Sequence, residues 1–284
     1  MIYLGNIQIG NGNYLGNINI PDSNIFMSQS VTAAPAFDSD ALKFITASGI
    51  SGSDATAINN LTVALKNTGS LWDKMYVIYP FIGGTLTSFK WNLKDTGSYS
   101  ASFVNSPVAS STGLQTNGTN NYLSGSWVIN DTFTSSLHLS FYKRTSRNTG
   151  DNIDAGSFNE TTARGIFLST QLTSTLSRAR QYQTAMDNSA TPYTGSFLVT
   201  ANTISSSFYK GSTAVSSIPL SNPGTITQGP IHLGALRRTQ DTSVAYYTSG
   251  SYGFMTVGQH LSSSQVTDFV NIVQNYQNEL GRGV

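Results

Sequence analysis

The 284-residue chain contains no cysteine, which excludes a disulfide scaffold, a thiolate metal site and a cysteine nucleophile. Charge is scarce as well. Asp, Glu, Lys and Arg make up 10 % of the residues, against about 25 % in ordinary globular domains. The net charge is +1, and no block of like charges marks a nucleic-acid surface. The densest basic spots, Lys143-Arg144 with Arg147 and Arg237-Arg238, read as solvated strand ends. No apolar run approaches the ~18–20 residues of a membrane span, and no basic segment followed by an apolar core opens the chain as a secretory signal would.

What remains is aromatic and polar. Fourteen Tyr, fourteen Phe and three Trp supply core surface. The water-facing surface must come largely from Ser, Thr, Asn and Gly, the residues that suit turns and exposed strand faces.

The first twenty residues carry a repeat. Tyr3-Leu4-Gly5-Asn6-Ile7-Gln8-Ile9 recurs eleven positions on as Tyr14-Leu15-Gly16-Asn17-Ile18-Asn19-Ile20. Each copy ends in period-2 alternation, and Gly10-Asn11-Gly12-Asn13 between them is a hairpin signal. A lone two-stranded hairpin is marginal in water. Residues 1–22 are therefore either an attachment hairpin, with Tyr3, Leu4, Ile7, Ile9, Tyr14, Leu15, Ile18 and Ile20 as its contact positions, or a hairpin folded back on its own domain. Residues 23–37 read as a linker.

Residues 38–74 form a short helical segment, its first helix capped by Asp38 or Asp40 and its second by Ser53 or Asp54, with a further helical turn at Leu71–Lys74. From Met75 the pattern shifts to short alternating runs between turn signals: Met75–Phe81, Tyr122–Ile129, Leu137–Lys143, Gly165–Leu168, Gly195–Val199, Thr203–Tyr209, Ile231–Leu236 and Ser251–Val257. Such a series without intervening helices indicates a β-sandwich or barrel over 75–284. A helix over 262–280 closes it, with Ser262 and Gln265 at capping-box spacing. Trp72 and Trp91 read as packed; Trp127 points either to the core or to a subunit interface.

The segment Leu71-Trp72-Asp73-Lys74-Met75-Tyr76-Val77-Ile78-Tyr79-Pro80-Phe81-Ile82-Gly83-Gly84 resembles one found in phage proteins with a concanavalin A-like lectin/LamG-type jelly roll. Lys90–Asp95, Thr116–Tyr122, Leu139–Thr145 and Phe269–Arg282 continue the likeness in the same order. The Tyr-Leu-Gly-Asn opening is similar to N-terminal segments of virion proteins of crAss-like tailed bacteriophages. The resemblance implies a mainly β fold, a concanavalin A-like β-sandwich with short N-terminal helices and one C-terminal helix. It also implies a structural component of a virion: a fibre, decoration or tail-associated subunit, made in host cytoplasm, anchored to other virion proteins by its N-terminal hairpin and forming a homo-oligomer, a trimer by analogy with phage fibres. An alternative is a host-surface glycan-binding adhesin; a third reading is a polysaccharide-degrading enzyme.

The chemistry disfavours the enzyme. Retaining hydrolysis needs two carboxylates about 5–5.5 Å apart. The chain has two glutamates, Glu160 and Glu279, far apart in sequence, and the nearest acidic pair outside a helix, Asp151 and Asp154, reads as a turn. The histidines His138, His232 and His260 are scattered. No metal-ligand cluster or phosphate loop stands out, so no cofactor is expected; calcium, which wants six to eight oxygen ligands including carboxylates, finds none in the Asn117–Tyr122 loop, though Asp151 and Asp154 could serve elsewhere. Sugar binding needs an aromatic face and hydrogen-bonding amides. Asn117, Asn120, Asn121 and Tyr122, with Tyr246 and Tyr247, offer that chemistry, though the same residues also suit plain β-turns.

Overall fold

The computed structural model describes residues 7–9, 13–15, 37–129, 136–145, 152–173, 176–182, 184–189, 193–220 and 229–284. The chain divides into a unit of residues 1–36 and a unit of 37–284. In the first, β1 (Ile7–Ile9) pairs antiparallel with β2 (Asn13–Leu15), Ile7 opposite Leu15. The repeat therefore meets itself as a hairpin. Tyr3, Leu4, Ile18, Ile20 and the linker positions 23–36 lie outside the described residues.

The second unit opens with helices α1 (Ser39–Ser48), α2 (Gly52–Asn67) and α3 (Leu71–Lys74). Asp38 caps α1, accepting from the backbone N–H of Asp40 and Ala41, and Gly49 ends it in the left-handed conformation with φ 71°. The N-cap of α2 is Ser51, with no side-chain bond; neither Ser53 nor Asp54 serves. Strand β3 (Met75–Tyr79) follows, then the short α4 (Leu86–Phe89), which sequence periodicity missed.

The remaining strands are β4 (Ser102–Val104), β5 (Val108–Ser110), β6 (Gly113–Asn117), β7 (Tyr122–Ile129), β8 (Leu137–Lys143), β9 (Ala155–Asn159) and β10 (Arg164–Thr173). They continue as β11 (Leu176–Gln181), β12 (Thr184–Ser189), β13 (Gly195–Ala201), β14 (Ser205–Lys210), β15 (Thr213–Pro219) and β16 (Gly229–Leu233). The last are β17 (Leu236–Arg238), β18 (Val244–Ala245) and β19 (Ser249–Gly258), before the closing helix α5 (Ser263–Glu279).

Two sheets result. One runs β12-β11-β10-β9-β16-β7-β4 with β17 and β18 attached; the other runs β15-β14-β13-β8-β19-β6-β5 with β3 on β19. The expected run Ile231–Leu236 is two strands, because Gly234 turns the chain at φ 91°. Leu139, Phe141, Phe197, Val199 and Met255 of the second sheet meet Leu123, Trp127, Ile166, Leu168 and Leu233 of the first in one core. Trp127 is thus a core residue, stacked on Tyr76 at 5.7 Å. Burying such side chains contributes about 1.5–3 kcal/mol each.

The second sheet is covered on its other face too. Ile58, Leu61 and Leu65 of α2 and Val266, Phe269, Val273 and Tyr276 of α5 pack with Ile78, Tyr142, Leu198 and Phe254. That explains β8, whose seven residues are all buried although their pattern alternates. Its polar members are hydrogen-bonded: His138 Nδ1 to the Gln259 carbonyl at 2.6 Å and Ser140 Oγ to Thr256 Oγ1 at 2.6 Å.

Two sequence expectations fail here. Lys143 is not a solvated strand end but 1 % exposed, and Asp154 is not a turn carboxylate open to calcium. They form an ion pair between the sheets, Nζ to Oδ1 at 2.6 Å. Thr170 donates to Asp154 Oδ2 through its N–H (2.7 Å) and hydroxyl (2.8 Å), and Tyr252 Oη donates to Oδ1 (2.7 Å). Burial alone would raise the Asp154 pKa; the Lys143 charge and these bonds overcome it and hold the carboxyl below its usual range. Asp151, its supposed companion, lies outside the described residues.

Removing one partner of a buried pair leaves an uncompensated charge. Lys143→Met is expected to cost roughly 3–5 kcal/mol of unfolding free energy in urea titrations, and Lys143→Met with Asp154→Leu to recover most of it. A loss below 1 kcal/mol in the single variant, about the worth of a surface pair, would show that the pair contributes little.

Candidate functional site

Helices cover the middle of the second sheet, and on the first sheet it is the outward side chains of β7 that reach solvent. Alternation along β7 turns Leu123 and Trp127 inward and Tyr122, Ser124, Ser126 and Val128 outward; Ser126 and Val128 are exposed. His232 on β16 pairs in register with Ser124, and its ring lies 4.8 Å from that of Tyr122. Tyr247, from the segment between β18 and β19, brings its ring to 6.0 Å from Tyr122. Next to it, Tyr246 is 41 % exposed and held at φ 55°. Two of the aromatic candidates, Tyr122 and Tyr247, therefore converge, with a histidine the sequence had left unassigned.

The segment carrying Tyr246 and Tyr247 is fixed from below. The Ile153 N–H donates to the Tyr246 carbonyl at 3.1 Å, and the Thr248 N–H to the Gly234 carbonyl at 2.9 Å. Gly234 in turn donates its N–H to the Asp154 carbonyl at 2.7 Å, and Thr116 Oγ1 donates to the Thr248 carbonyl at 2.6 Å. A side chain could not replace Gly234: besides its φ of 91°, a Cβ there would sit 2.5 Å from Thr116 Cγ2.

The asparagines do something else. Asn117 Oδ1 accepts from the backbone N–H of Thr119, Asn120 and Asn121, and its amide donates to Asn120 Oδ1 at 3.0 Å. Asn121, 6 % exposed, accepts the Asn117 N–H at 2.7 Å. Asn117 and Asn121 thus close the β6–β7 turn that aims Tyr122, and these oxygens are occupied within the turn.

His232 is 3 % exposed, yet its Nδ1 has no hydrogen-bond partner. Ser157 Oγ is also buried without one, but its register opposite Ile166 turns it to the core side of the sheet, away from His232 opposite Gly156. Burial and then the Arg237 charge push the His232 pKa down to about 4, so the ring is neutral at neutral pH. Burial, followed by Tyr247, raises the Tyr122 phenol, and Arg237 acts the other way. The guanidinium of Arg237 also donates to the Thr242 carbonyl. Its neighbour Arg238 is engaged by Glu160 at 2.7 Å and Asp241 at 3.2 Å.

Among the described residues, the carboxylates that the sequence singled out are each engaged elsewhere. Glu160 also accepts from Gln240, Glu279 accepts from Asn60, and Asp154 belongs to the buried pair. Among the described residues no group of three His, Asp or Glu side chains is placed to hold a metal ion.

No family model matches the chain, and no curated protein matches it by sequence. Solved structures do. The botulinum neurotoxin serotype C1 binding domain is similar at TM-score 0.51 and 13 % identity, over 72 % of this chain and 53 % of that one. Botulinum neurotoxin type C, whose cell entry depends on interaction with two ganglioside molecules, aligns at TM-score 0.50 and 12 % identity over 72 % and 52 %. The chain thus spans about half the length of these two. Domain 4 of AbnA, a GH43 extracellular arabinanase from Geobacillus stearothermophilus solved with arabinotriose, matches at TM-score 0.50 and 13 % identity, over 69 % of this chain and 98 % of the domain. The fold is a lectin-like β-sandwich, and its structural neighbours include carbohydrate-binding domains.

His138, like His232, is driven down to about 4 by burial. Below the ordinary histidine pKa of about 6.5, the unfolded chain binds protons that the folded one refuses. Stability should therefore be full above about pH 6.5 and fall as the pH drops toward 4. Urea midpoints at pH 7.5, 6 and 5 check this; equal midpoints would mean the two rings protonate in place.

Proposed function

We propose that the chain is a glycan-binding module that takes its sugar on the outer face of the first sheet, at Tyr122 and Tyr247. The cluster of two tyrosine rings beside a buried histidine with an unpaired nitrogen carries this reading. Aromatic faces stack on the apolar face of a pyranose, and unpaired donors and acceptors replace water at its hydroxyls. The similar arabinanase domain was solved with arabinotriose bound, which supports a glycan as the class of ligand. Binding without turnover accords with the engagement of Glu160, Glu279 and Asp154 elsewhere.

Tyr122→Ala and Tyr247→Ala should each weaken binding to a responsive glycan by roughly ten-fold or more, the ~1.4 kcal/mol expected of a stacking ring, with the fold kept. Glycan-array screening followed by calorimetry provides the readout. Undiminished binding in both variants would move the site elsewhere.

A second reading, supported by the self-pairing repeat at Ile7–Ile9 and Asn13–Leu15, adds a structural place in a bacteriophage virion. There the first unit adds strands to a partner protein, where main-chain bonds give affinity and the Ile and Leu positions give register, while the sandwich is displayed as a homo-oligomer. Removal of residues 1–36 is expected to leave sugar binding intact and abolish incorporation into particles. Normal incorporation of the truncated chain would end that reading.

A further inference from the structure

Helix α5 is fastened at both ends, and the two fastenings are chemically unlike. At the C-terminal end Tyr276 Oη donates to the Pro80 carbonyl at 2.9 Å, and Gln277 Nε2 donates to the Gly253 carbonyl at 3.2 Å. The guanidinium of Arg282, 2 % exposed, donates to both carbonyls at 2.9 Å. None of these groups changes its charge in mildly acidic solution. At the N-terminal end the fastening is basic. Residues 259–262 join β19 to α5. His138 Nδ1 bonds the Gln259 carbonyl at 2.6 Å, and Lys74 Nζ donates to the His260 carbonyl at 2.8 Å. The His260 ring bonds Thr200 Oγ1 at 2.9 Å, and Phe269 of α5 lies 6.2 Å from the His138 ring.

His138 is fully buried, and its bonds allow one arrangement of protons. A carbonyl can only accept, so the neutral ring carries its proton on Nδ1, and Nε2 accepts from Thr256 Oγ1 at 3.1 Å. Thr256 in turn accepts from Ser140 Oγ at 2.6 Å. A proton added at Nε2 reverses both bonds, and the buried Ser140 hydroxyl then gives up its acceptor.

The added charge also meets no counter-ion. Burial opposes it first; the Gln259 carbonyl favours it, while His260 from the junction and Lys74 from α3 oppose it further. Strands β3, β13 and β19 carry no acidic residue, and the one charged residue of β8, Lys143, is committed to Asp154. Asp73 of α3 and Asp268 of α5 are exposed.

We propose that the β19–α5 junction is an acid-sensitive latch: a proton on His138 frees residues 259–270 from the sheet, while the Tyr276–Arg282 end stays fastened as the hinge. Opening uncovers Val266 and Phe269, which are buried in the closed form.

Hydrogen–deuterium exchange of the full chain, corrected for intrinsic rates, tests it. From pH 7 to pH 5, protection over residues 259–270 should fall about ten-fold or more, because the opened histidine regains its ordinary affinity for protons. Residues 271–280 and strands β10 and β11 should lose less than about three-fold. His138→Gln supplies a donor and an acceptor that do not titrate, so it should keep the junction closed and abolish the fall. Equal loss along the whole of α5 and the strands, or no loss by pH 5, would overturn the latch without recourse to any variant. A folded His138→Gln chain that keeps the wild-type fall would overturn it as well.

Discussion

The molecule is organised around one buried charge pair. Lys143 on β8 and Asp154 ahead of β9 come from opposite sheets, and Tyr252 and Thr170 complete their hydrogen bonds. Taking two ions out of water is costly and is offset only when geometry and hydrogen bonding are nearly complete. Here they are, so the two sheets are held in one relative register at that point. The consequence reaches the surface, because the same Asp154 anchors Gly234 through its carbonyl. Gly234 carries Thr248, and Ile153 carries Tyr246. The aromatic segment of the site is therefore two backbone hydrogen bonds away from the buried ion pair's Asp154.

The proposed glycan-binding reading asks this surface to bind rather than to turn over. Burial and the Arg237 charge hold His232 well below the usual histidine range, and among the described residues Glu160 and Asp154 are committed to structural bonds. What the surface offers under that reading is a pair of tyrosine rings and a histidine, the Tyr247 segment being held by backbone hydrogen bonds. Preorganisation of this kind reduces the ordering cost of association. The covering of the second sheet by α2 and α5 explains why the first sheet was left to meet solvent.

Much of this was legible in the sequence, and the failures have physical causes. The capping box at Ser262 and the apolar face from Val266 to Tyr276 announced α5 correctly, because helix periodicity and capping are local. The strand series announced a sandwich. Sequence alternation could not show that β8 is buried on both faces, since that depends on helices elsewhere in the chain. Lys143 looked exposed for the same reason: its partner, Asp154 ahead of β9, reaches it only across the two sheets. Tyr122 and Tyr247 were recognised as sugar-binding chemistry, but their neighbour His232 was missed because β16 reaches β7 only through register. Asn117 and Asn121 were grouped with them by composition, whereas the structure uses them to close the turn.

The most direct test of this account is heteronuclear NMR of the chain titrated with an oligosaccharide that binds it, mapping which resonances move. The expected map centres on the side chains of Tyr122, His232 and Tyr247 and spares the α2–α5 face. Perturbations clustered on the helical face, or on the Lys90–Thr96 side of the unit, with these three unmoved, would contradict it.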